Sequence, residues 1–535
     1  MDGPNVNLKF HREMVSHIEQ NYDKRLLDIG SCGLHQIHGA LKNAMEKNEV
    51  FKGLQDFFTS LFYLFHDAPA RQSEYTSVTG TSKFGLQFCK HRWVENLPVA
   101  KRALEILPDV IEYVKAVQKK DKRVTKPTCK SYTVVENATT DPMTVPMLQV
   151  YISICRELQP ILVKYQCDKP MIPFLGADIF NMLRSLIQRF GKPDNVKAVT
   201  TQRKMLNFDA KKSRCDVKKV DVGAACKESL RLLLNEKKVS ELKVFQLRTE
   251  TQNVMSFMVA YMLEKLPLKH SLVRNASCLA PSEMVHNRDE CIARMSYMLQ
   301  VLAEKKQISY DDCDVVKSQY VSFLDVQVAR YSSSFAEFRP EADESRVETF
   351  LYKHLHQKTE YSKLWQAMKI VLLLSHGQAS VERGFSVNKQ VAADNLQEET
   401  FVARRLICEH VNRAGGVCNV QITPQLLVAA AGARQKYLMH LDEEKRKKER
   451  VEKSRGKKRL EEEIEEVKSK RRRLNDDIDS MQKSADALSE KAERTGKLTL
   501  VSQSNSLRRT VVTKKVELVE VVDKLDMLLL KLKDT

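Results

Sequence analysis

The chain has 535 residues, a formal charge of +19 and a pI near 9.2. A balance this basic points to a polyanionic partner, most simply nucleic acid. Twelve scattered cysteines with no Cys-x-x-Cys pair argue against a zinc ribbon or a disulfide framework and fit reduced thiols in an intracellular protein. No apolar run approaches the ~20 residues that span a bilayer, charges run through the first thirty residues where a secretory signal would stand, and no membrane partner is expected.

In chain order, Asp2-Gly-Pro-Asn-Val-Asn7 is turn chemistry, and Lys9 to Gln20 reads as a helix. Leu26 to Ile29 is a short strand candidate closed by Gly30-Ser-Cys-Gly33, with a helix over Leu34 to Met45. Cys32, His35 and His38 recur every third residue at the start of that helix, a spacing that supplies two or three metal ligands. No second ligand cluster follows, Cys89 and His91 being the nearby candidates, so the spacing favours a packed, hydrogen-bonded role. Phe51, Leu54, Phe57, Phe58, Leu61, Phe62 and Phe65 lie three and four apart and predict an amphipathic helix with an aromatic face. Pro69 to Arg71 ends it, and Ser73 to Ser82 reads as a polar loop.

Arg92-Trp93 sits among Lys90 and His91 ahead of a helix running from Pro98 to about Val117. The indole can stack on a base while the cations hold phosphates, or it can close the core where the helix begins. Lys115 to Lys130, with Lys119, Lys120, Lys122 and Arg123 at its centre, is a basic linker, either a solvated loop or a phosphate contact. Thr133 to Thr144 is polar and poor in helix signals. From Val145 to about Ala329 the pattern is helical, with three-four periodicity over Met147 to Tyr165, Leu175 to Phe190, Val239 to Leu266 and Asp289 to Lys305. The basic stretch Arg203 to Val222 interrupts it as a loop, and Arg330 to Glu344 is a linker.

The apolar run Ile370 to Leu374 breaks at Ser375-His-Gly377 and leads into a helical stretch with Glu382 on it. Val381 and Phe385 lie four apart on one face, which places Glu382 either beside a core or, with Arg383, in an ordinary ion pair on a helix surface. Beyond Gly415-Gly416 the chain becomes highly charged. Leu460, Ile464, Val467, Arg471, Leu474, Ile478, Met481, Ala485, Leu488 and Ala492 alternate four and three apart, a coiled-coil seam with one Arg in it. Thr495 to Ser506 breaks the helix at Gly496 and Leu507 to Lys533 resumes it, with Leu518, Val522, Leu525, Leu529 and Leu532 as a second stripe, to be buried in a hairpin or in a dimer. Lys445 to Lys448, Lys457 to Arg459 and Lys468 to Arg473 read as nuclear import signals or as a solvated face.

The wording of Ala379-Ser-Val-Glu-Arg-Gly-Phe-Ser386 resembles the Ala-Ser-x-Glu-Arg-x-Phe-Ser block of hAT superfamily DNA transposases. Trp365 before it and Thr400 to Val411 after it resemble that family's C-terminal dimerisation region. Asp2-Gly-Pro-Asn-Val-Asn7 and Cys32-Gly-Leu-His35 resemble two further blocks of the family, and Arg92-Trp93 resembles a fourth that works near the DNA end being cut. The resemblance implies an RNase H-like fold whose Asp, Asp and Glu hold divalent metals. On that mapping Asp2 is the second carboxylate and Glu382 the third, with Arg383, Phe385 and Ser386 completing the motif; Mg²⁺ or Mn²⁺ enters if the site is completed, and otherwise no cofactor is expected. The first Asp and a DNA-reading zinc finger belong upstream of Met1.

The expected fold is therefore mainly α: a truncated RNase H-like remnant over 1–95, a large helical insertion over 96–335, a closing dimerisation block over 336–420 and a charged coiled-coil tail over 421–535. The expected function is that of a transposase-derived nuclear protein without catalysis, acting in DNA association and in homodimer or higher assembly through the 345–411 block and the coiled coil. The alternative is a fragment of an active hAT transposase performing metal-dependent cleavage and strand transfer.

Overall fold

The computed structural model describes residues 5–533 other than 357 and 378, and no side chain for residues 5–8, 379, 380 and 382. The chain is mainly α-helical and divides into two compact units, the first ending at Asp394 and the second running Asn395–Thr535. Among the described residues no strand forms; an isolated bridge joins Gly191 to Arg214. No described helix is long and apolar enough to cross a membrane.

The first unit opens with α1 (Asn5–Tyr22), α2 (Gly33–Glu46), α3 (Leu54–Phe65), α4 (Pro69–Thr79), α5 (Leu97–Gln118), α6 (Lys130–Thr140), α7 (Thr144–Tyr165) and α8 (Ile172–Phe190). It continues through α9 (Pro193–Ala198), α10 (Gln202–Leu206), α11 (Ala224–Asn235), α12 (Glu241–Lys265), α13 (Ser271–Asn275), α14 (Pro281–His286), α15 (Arg288–Glu304) and α16 (Tyr310–Phe323). The short α17 (Ser332–Ala336), α18 (Val347–Leu355), α19 (Ser362–Leu372) and α20 (Ala379–Val391) close it. One hydrophobic core runs from Ile37 to Leu372, crossing residues 95/96 and 335/336 without a break.

The predicted aromatic face of α3 is the heart of that core. Phe57, Phe58, Leu61 and Phe65 are buried, with Phe62 half-buried at the edge. Phe58 stacks on Phe88 at 5.6 Å and tilts against Tyr151 of α7, while Phe65 meets Tyr75 at 4.7 Å and Tyr113 of α5. These rings gather α3, α4, α5 and α7 around one cluster, and burial of large aromatic area is the main favourable term here.

Several sequence expectations are corrected. The Leu26 to Ile29 strand is absent: the segment passes along the core with Leu27 and Ile29 half-buried, and an extended segment without a partner strand makes no ladder. Its neighbour Arg25 instead donates its backbone N–H to the Lys305 carbonyl, 3.0 Å away. Pro69 starts a helix instead of ending one: it takes the first-turn position of α4, where its missing N–H costs nothing, and Tyr75 anchors that helix in the core. Thr133 to Thr140 is helical in α6, because burying Tyr132 and Val135 against α3 overrides a weak propensity. Arg203 to Val222 is no solvated loop; Phe208, Ala210, Val220 and Val222 are buried, and Ser256 donates to the Ala210 carbonyl. Within the Arg330 to Glu344 linker, Phe335 of α17 is buried.

The second unit contains α21 (Glu398–Arg413), the 72-residue α22 (Pro424–Thr495) and α23 (Leu498–Lys533). Gly496 ends α22 in the left-handed region, φ 64°, and donates to the Ala492 carbonyl, so α23 folds back antiparallel. Ion pairs Lys524–Glu463, Lys514–Asp477 and Arg508–Asp486 run along the hairpin. All ten predicted seam positions of α22, Arg471 included, are buried or half-buried. On α23 the register differs: Val521 and Leu528 are buried, while Val522 is half-buried and Leu529 exposed. Ser504 is buried and donates to the Ala485 carbonyl, a contact between the two helices at two small side chains.

Replacing Phe58 with Ala removes the ring on which the aromatic cluster converges. The expected cost is about 3–5 kcal/mol, read as a lower denaturant midpoint at unchanged m-value; a loss below about 1 kcal/mol would remove this cluster from the centre of the core.

Candidate functional site

The sequence motifs converge at the N-terminus of α2. Cys32 precedes that helix, and its buried thiol hydrogen-bonds with His35. Burial pushes the thiol pKa up, but the His35 hydrogen bonds and charge and the Leu34 amide outweigh it, and the net shift is downward. One turn on, His38 is buried, and its Nδ1 accepts the backbone N–H of Val94 at 3.2 Å. Burial drives its imidazole down to about 4, opposed by the Glu95 carboxylate 3.9 Å from Nε2 and reinforced by Arg92 and His35. His38 is therefore a neutral hydrogen-bond acceptor at physiological pH. Glu95 also takes the Gln166 side chain at 2.9 Å and Arg92 at 3.3 Å.

The Ser375-His-Gly377 break lies against the same place. His376 is buried, its Nε2 lies 3.0 Å from the Tyr165 carbonyl and its ring stands edge-on to Tyr165. Burial lowers its pKa, so Nε2–H is the donor of a neutral ring. A Cβ on Gly377 would stand 3.9 Å from the Cys32 sulfur and 3.8 Å from Leu34, so glycine lets this turn lie against α2. The fold thus brings the Cys-x-x-His block to the segment that leads into Ala379 to Ser386.

The carboxylates that the resemblance assigns to metal binding are a different matter. Asp2 lies outside the described residues, and so does the side chain of Glu382. Of the core and surface readings of this helix, its described residues show the surface one: Val381 and Phe385 are 52% and 66% exposed, and α20 buries none of its described side chains. Its Arg383 reaches Asp168 at 3.2 Å in a solvent-exposed ion pair, and Ser386 faces solvent. An exposed pair of this kind contributes at most about 1 kcal/mol. Among the described residues no three of His, Cys, Asp and Glu stand together to hold a metal ion; Cys32, His35 and His38 form a packing and hydrogen-bonding set.

Neither is Trp93 placed for base stacking. It is 1% exposed, packed edge-on against Phe88 at 5.3 Å and against Tyr151, and its carbonyl accepts the Tyr151 hydroxyl at 2.6 Å. It closes the core where α5 begins. At the far end of α5, a 22-residue helix of about 33 Å, Lys119, Lys120 and Lys122 are exposed, whereas Arg123 is held by Asp121 and the Ser77 carbonyl. The two predicted DNA-contact groups therefore do not form one surface.

No family model, curated protein or solved structure matches this chain.

The largest free concentration of cations is on α22. The packed seam begins at Leu460, opposite Leu532 near the end of α23, so residues 424–459 extend beyond the hairpin partner. All of them are exposed except the half-buried Gly432 and Glu444. From Lys445 to Arg459, ten of fifteen residues are Lys or Arg against two Glu. Among the described residues, Lys447 alone of these ten forms an ion pair, with Glu444. Sequence reading marked the two basic runs; that they share a stretch of helix without a partner follows only from where α23 ends.

The neutral state of His38 gives a pH prediction. Its pKa falls from about 6.5 to about 4 on folding, so between those values the unfolded chain binds the extra proton. Stability present above pH 6.5 is lost as the pH falls through that window, by up to about 3 kcal/mol. Urea melts at pH 7 and pH 4.5 should show it, and His38→Gln, which keeps an acceptor for Val94, should flatten it; an equal slope in both proteins would assign the acid sensitivity elsewhere.

Proposed function

We propose that this protein is a DNA-associating, self-assembling nuclear factor of transposase descent. The observation that carries the reading is the exposed half of α22, whose ten cations over fifteen residues stand on a helix with no protein partner among the described residues. An α-helix about 10–12 Å across fits the major groove of duplex DNA, and cations around it neutralise phosphates on both walls. Lys119, Lys120 and Lys122 add a second exposed basic point on the first unit. Lys445 to Lys448 and Lys457 to Arg459, exposed on the same helix, suit import into the nucleus.

Self-assembly is supported by apolar side chains left in solvent. Val381 and Phe385 lie on α20 in the first unit; Val402, Leu406 and Ile407 lie on α21 in the second, a helix with no buried residue. Both helices fall in the stretch that resembles the hAT dimerisation region. Clustered exposed apolar groups on a soluble chain mark contact surfaces more often than chance. The transposase ancestry rests on the wording of Ala379 to Ser386, on Cys32-Gly-Leu-His35 and on Arg92-Trp93. In this reading the RNase H-like part survives as helices and the seam of α22 and α23 is a coiled coil.

The test is binding to duplex DNA across a salt series, with wild type and a variant carrying Gln at Lys445, Arg446, Lys448, Arg450 and Lys453. Gln keeps the helix. The variant should bind at least about tenfold more weakly near 150 mM salt, with the slope of log K against log salt reduced by roughly 2 as two or three phosphate contacts vanish. Unchanged affinity and slope would sink the proposal. Mg²⁺-dependent cleavage by the same preparation, abolished in Glu382→Ala, would restore the active-transposase alternative.

A further inference from the structure

Three hydroxyls of the second unit stand beside basic runs: Ser454 before Arg455, Lys457 and Lys458, Ser469 within Lys468 to Arg473, and Thr510 after Arg508 and Arg509. All three are exposed on helices. By composition Ser469 has the densest run of cations, but the structure separates the three by what holds their helix in place. A protein kinase reads its acceptor on an opened stretch of chain, so the hydroxyl becomes a substrate where the helix opens at little cost.

Ser469 and Thr510 lie in the paired part of the hairpin. Val467 is buried two residues before Ser469 and Val511 directly after Thr510, so opening either site uncovers the seam. Glu465 and Glu466 stand one turn before Ser469, on the face where a phosphate would lie, and the Thr510 hydroxyl donates to the Ser506 carbonyl at 3.2 Å. Ser454 has no such restraint. It lies on the part of α22 that extends beyond the end of α23, and every residue from Lys445 to Arg459 is exposed. Two positions on, Gly456 stands in the helix interior, where a Cβ would meet nothing within 4 Å. No close approach calls for that glycine, and it weakens the helix beside Ser454.

The helical register also fixes what a phosphate would meet. Arg450, Lys457 and Lys458 are four before, three after and four after Ser454, all on its own face. None of the three forms an ion pair among the described residues, where Lys447 with Glu444 is the pair of this stretch. The acidic residues nearby, Glu449 and Glu452, are five and two positions before Ser454 and point away from that face.

We propose that Ser454 is the acceptor of a protein kinase that selects basic flanks, and that its phosphate releases α22 from DNA. The γ-phosphoryl group of a nucleoside triphosphate passes to Ser454 Oγ. The Oγ–P bond forms, the bridging bond between the β and γ phosphorus breaks, the hydroxyl proton goes to the kinase's catalytic carboxylate and the nucleoside diphosphate leaves. The product carries about −1.5 to −2 charge and three acceptor oxygens, which Arg450, Lys457 and Lys458 hold across one turn on either side. Those cations are then spent within the helix and no longer neutralise nucleic-acid phosphates. The release rests on the DNA association proposed above; the acceptor site does not.

The experiment treats the full chain with ATP and the catalytic domain of protein kinase C, beside Ser454→Ala, and maps the phosphate by mass spectrometry. Ser454 should be modified ahead of Ser469 and Thr510. Phosphorus NMR should then place the second ionisation of that phosphoserine below its usual pKa of about 6, with the shift lost in urea. Duplex DNA should bind the treated protein about tenfold or more weakly near 150 mM salt, with the slope of log K against log salt reduced by roughly 2, and kinase treatment should leave the affinity of Ser454→Ala unchanged. An unmodified Ser454, modification of Ser469 in its place, or an affinity that falls equally in Ser454→Ala would each overturn the proposal. If the untreated chain binds no DNA, the DNA reading falls and the release with it, while the mapping and the NMR, which use no DNA, still uphold or overturn the site.

Discussion

A single peptide group fastens the first unit. The carbonyl of Trp93 accepts the Tyr151 hydroxyl, and the N–H of the same peptide, on Val94, is accepted by His38 Nδ1. Three helices, α2, α7 and the turn that starts α5, thereby meet at one buried amide. A buried peptide left unpaired costs several kcal/mol, so both partners must be in place and His38 must be neutral. Asn96 secures the turn from the other side, donating to the carbonyls of Cys89 and Arg92 while accepting the Cys89 N–H. This junction decides the fate of the indole: with its own carbonyl pinned from within, Trp93 has to fill the core. Its Nε1 finds no acceptor among the described residues, a cost that the rings of Phe88 and Tyr151 around it outweigh.

Charge follows a different rule in the two units. In the first, cations beside the motifs are engaged: Arg92 with Glu95, Arg123 with Asp121, Arg383 with Asp168. Asp121 shows the strength of such local pairing, its carboxyl held at about 2 by the Arg123 guanidinium. In the second unit the paired part of α22 matches its charges across to α23, whereas Lys445 to Arg459 has almost nothing to match. Net charge alone would not distinguish a compensated surface from a free one.

What could be read from the sequence was whatever has a period. The aromatic spacing of α3 and the seam from Leu460 to Ala492 lie where periodicity puts them, because those side chains have one face on which to be buried. Readings from composition failed. Thr-rich α6 and Pro-started α4 are helices because Tyr132 and Tyr75 have somewhere to go, and that somewhere is built by distant residues. The α23 register failed for another reason: Val521-Val522 and Leu528-Leu529 are adjacent apolar pairs, so the stripe can be drawn through either member. Spacing left the helix of Glu382 open between core and surface, because Val381 and Phe385 show the same helical period whether their face meets a core or solvent. The meeting of Gly377 with Cys32 had no local signal, since it spans most of the unit.

The exposed half of α22 is divided further along its length. Leu426, Leu427, Val428, Tyr437, Leu438, Met439 and Leu441 are exposed apolar residues in its first eighteen positions, whereas Lys445 to Arg459 contains a single large apolar residue, Val451. An isolated helix keeps its order in water through packing more than propensity, and the two parts offer different surfaces for it. Along 426–441 only another apolar face can take the exposed side chains out of water; along 445–459 packing against protein would strand ten cations, and a polyanion is the partner that orders that part without desolvating unpaired charge. On the proposed reading, one continuous helix carries a protein-facing part and a polyanion-facing part in series. A partner helix on the first would hold the second at a fixed reach beyond the hairpin, so assembly and DNA association would reinforce one another.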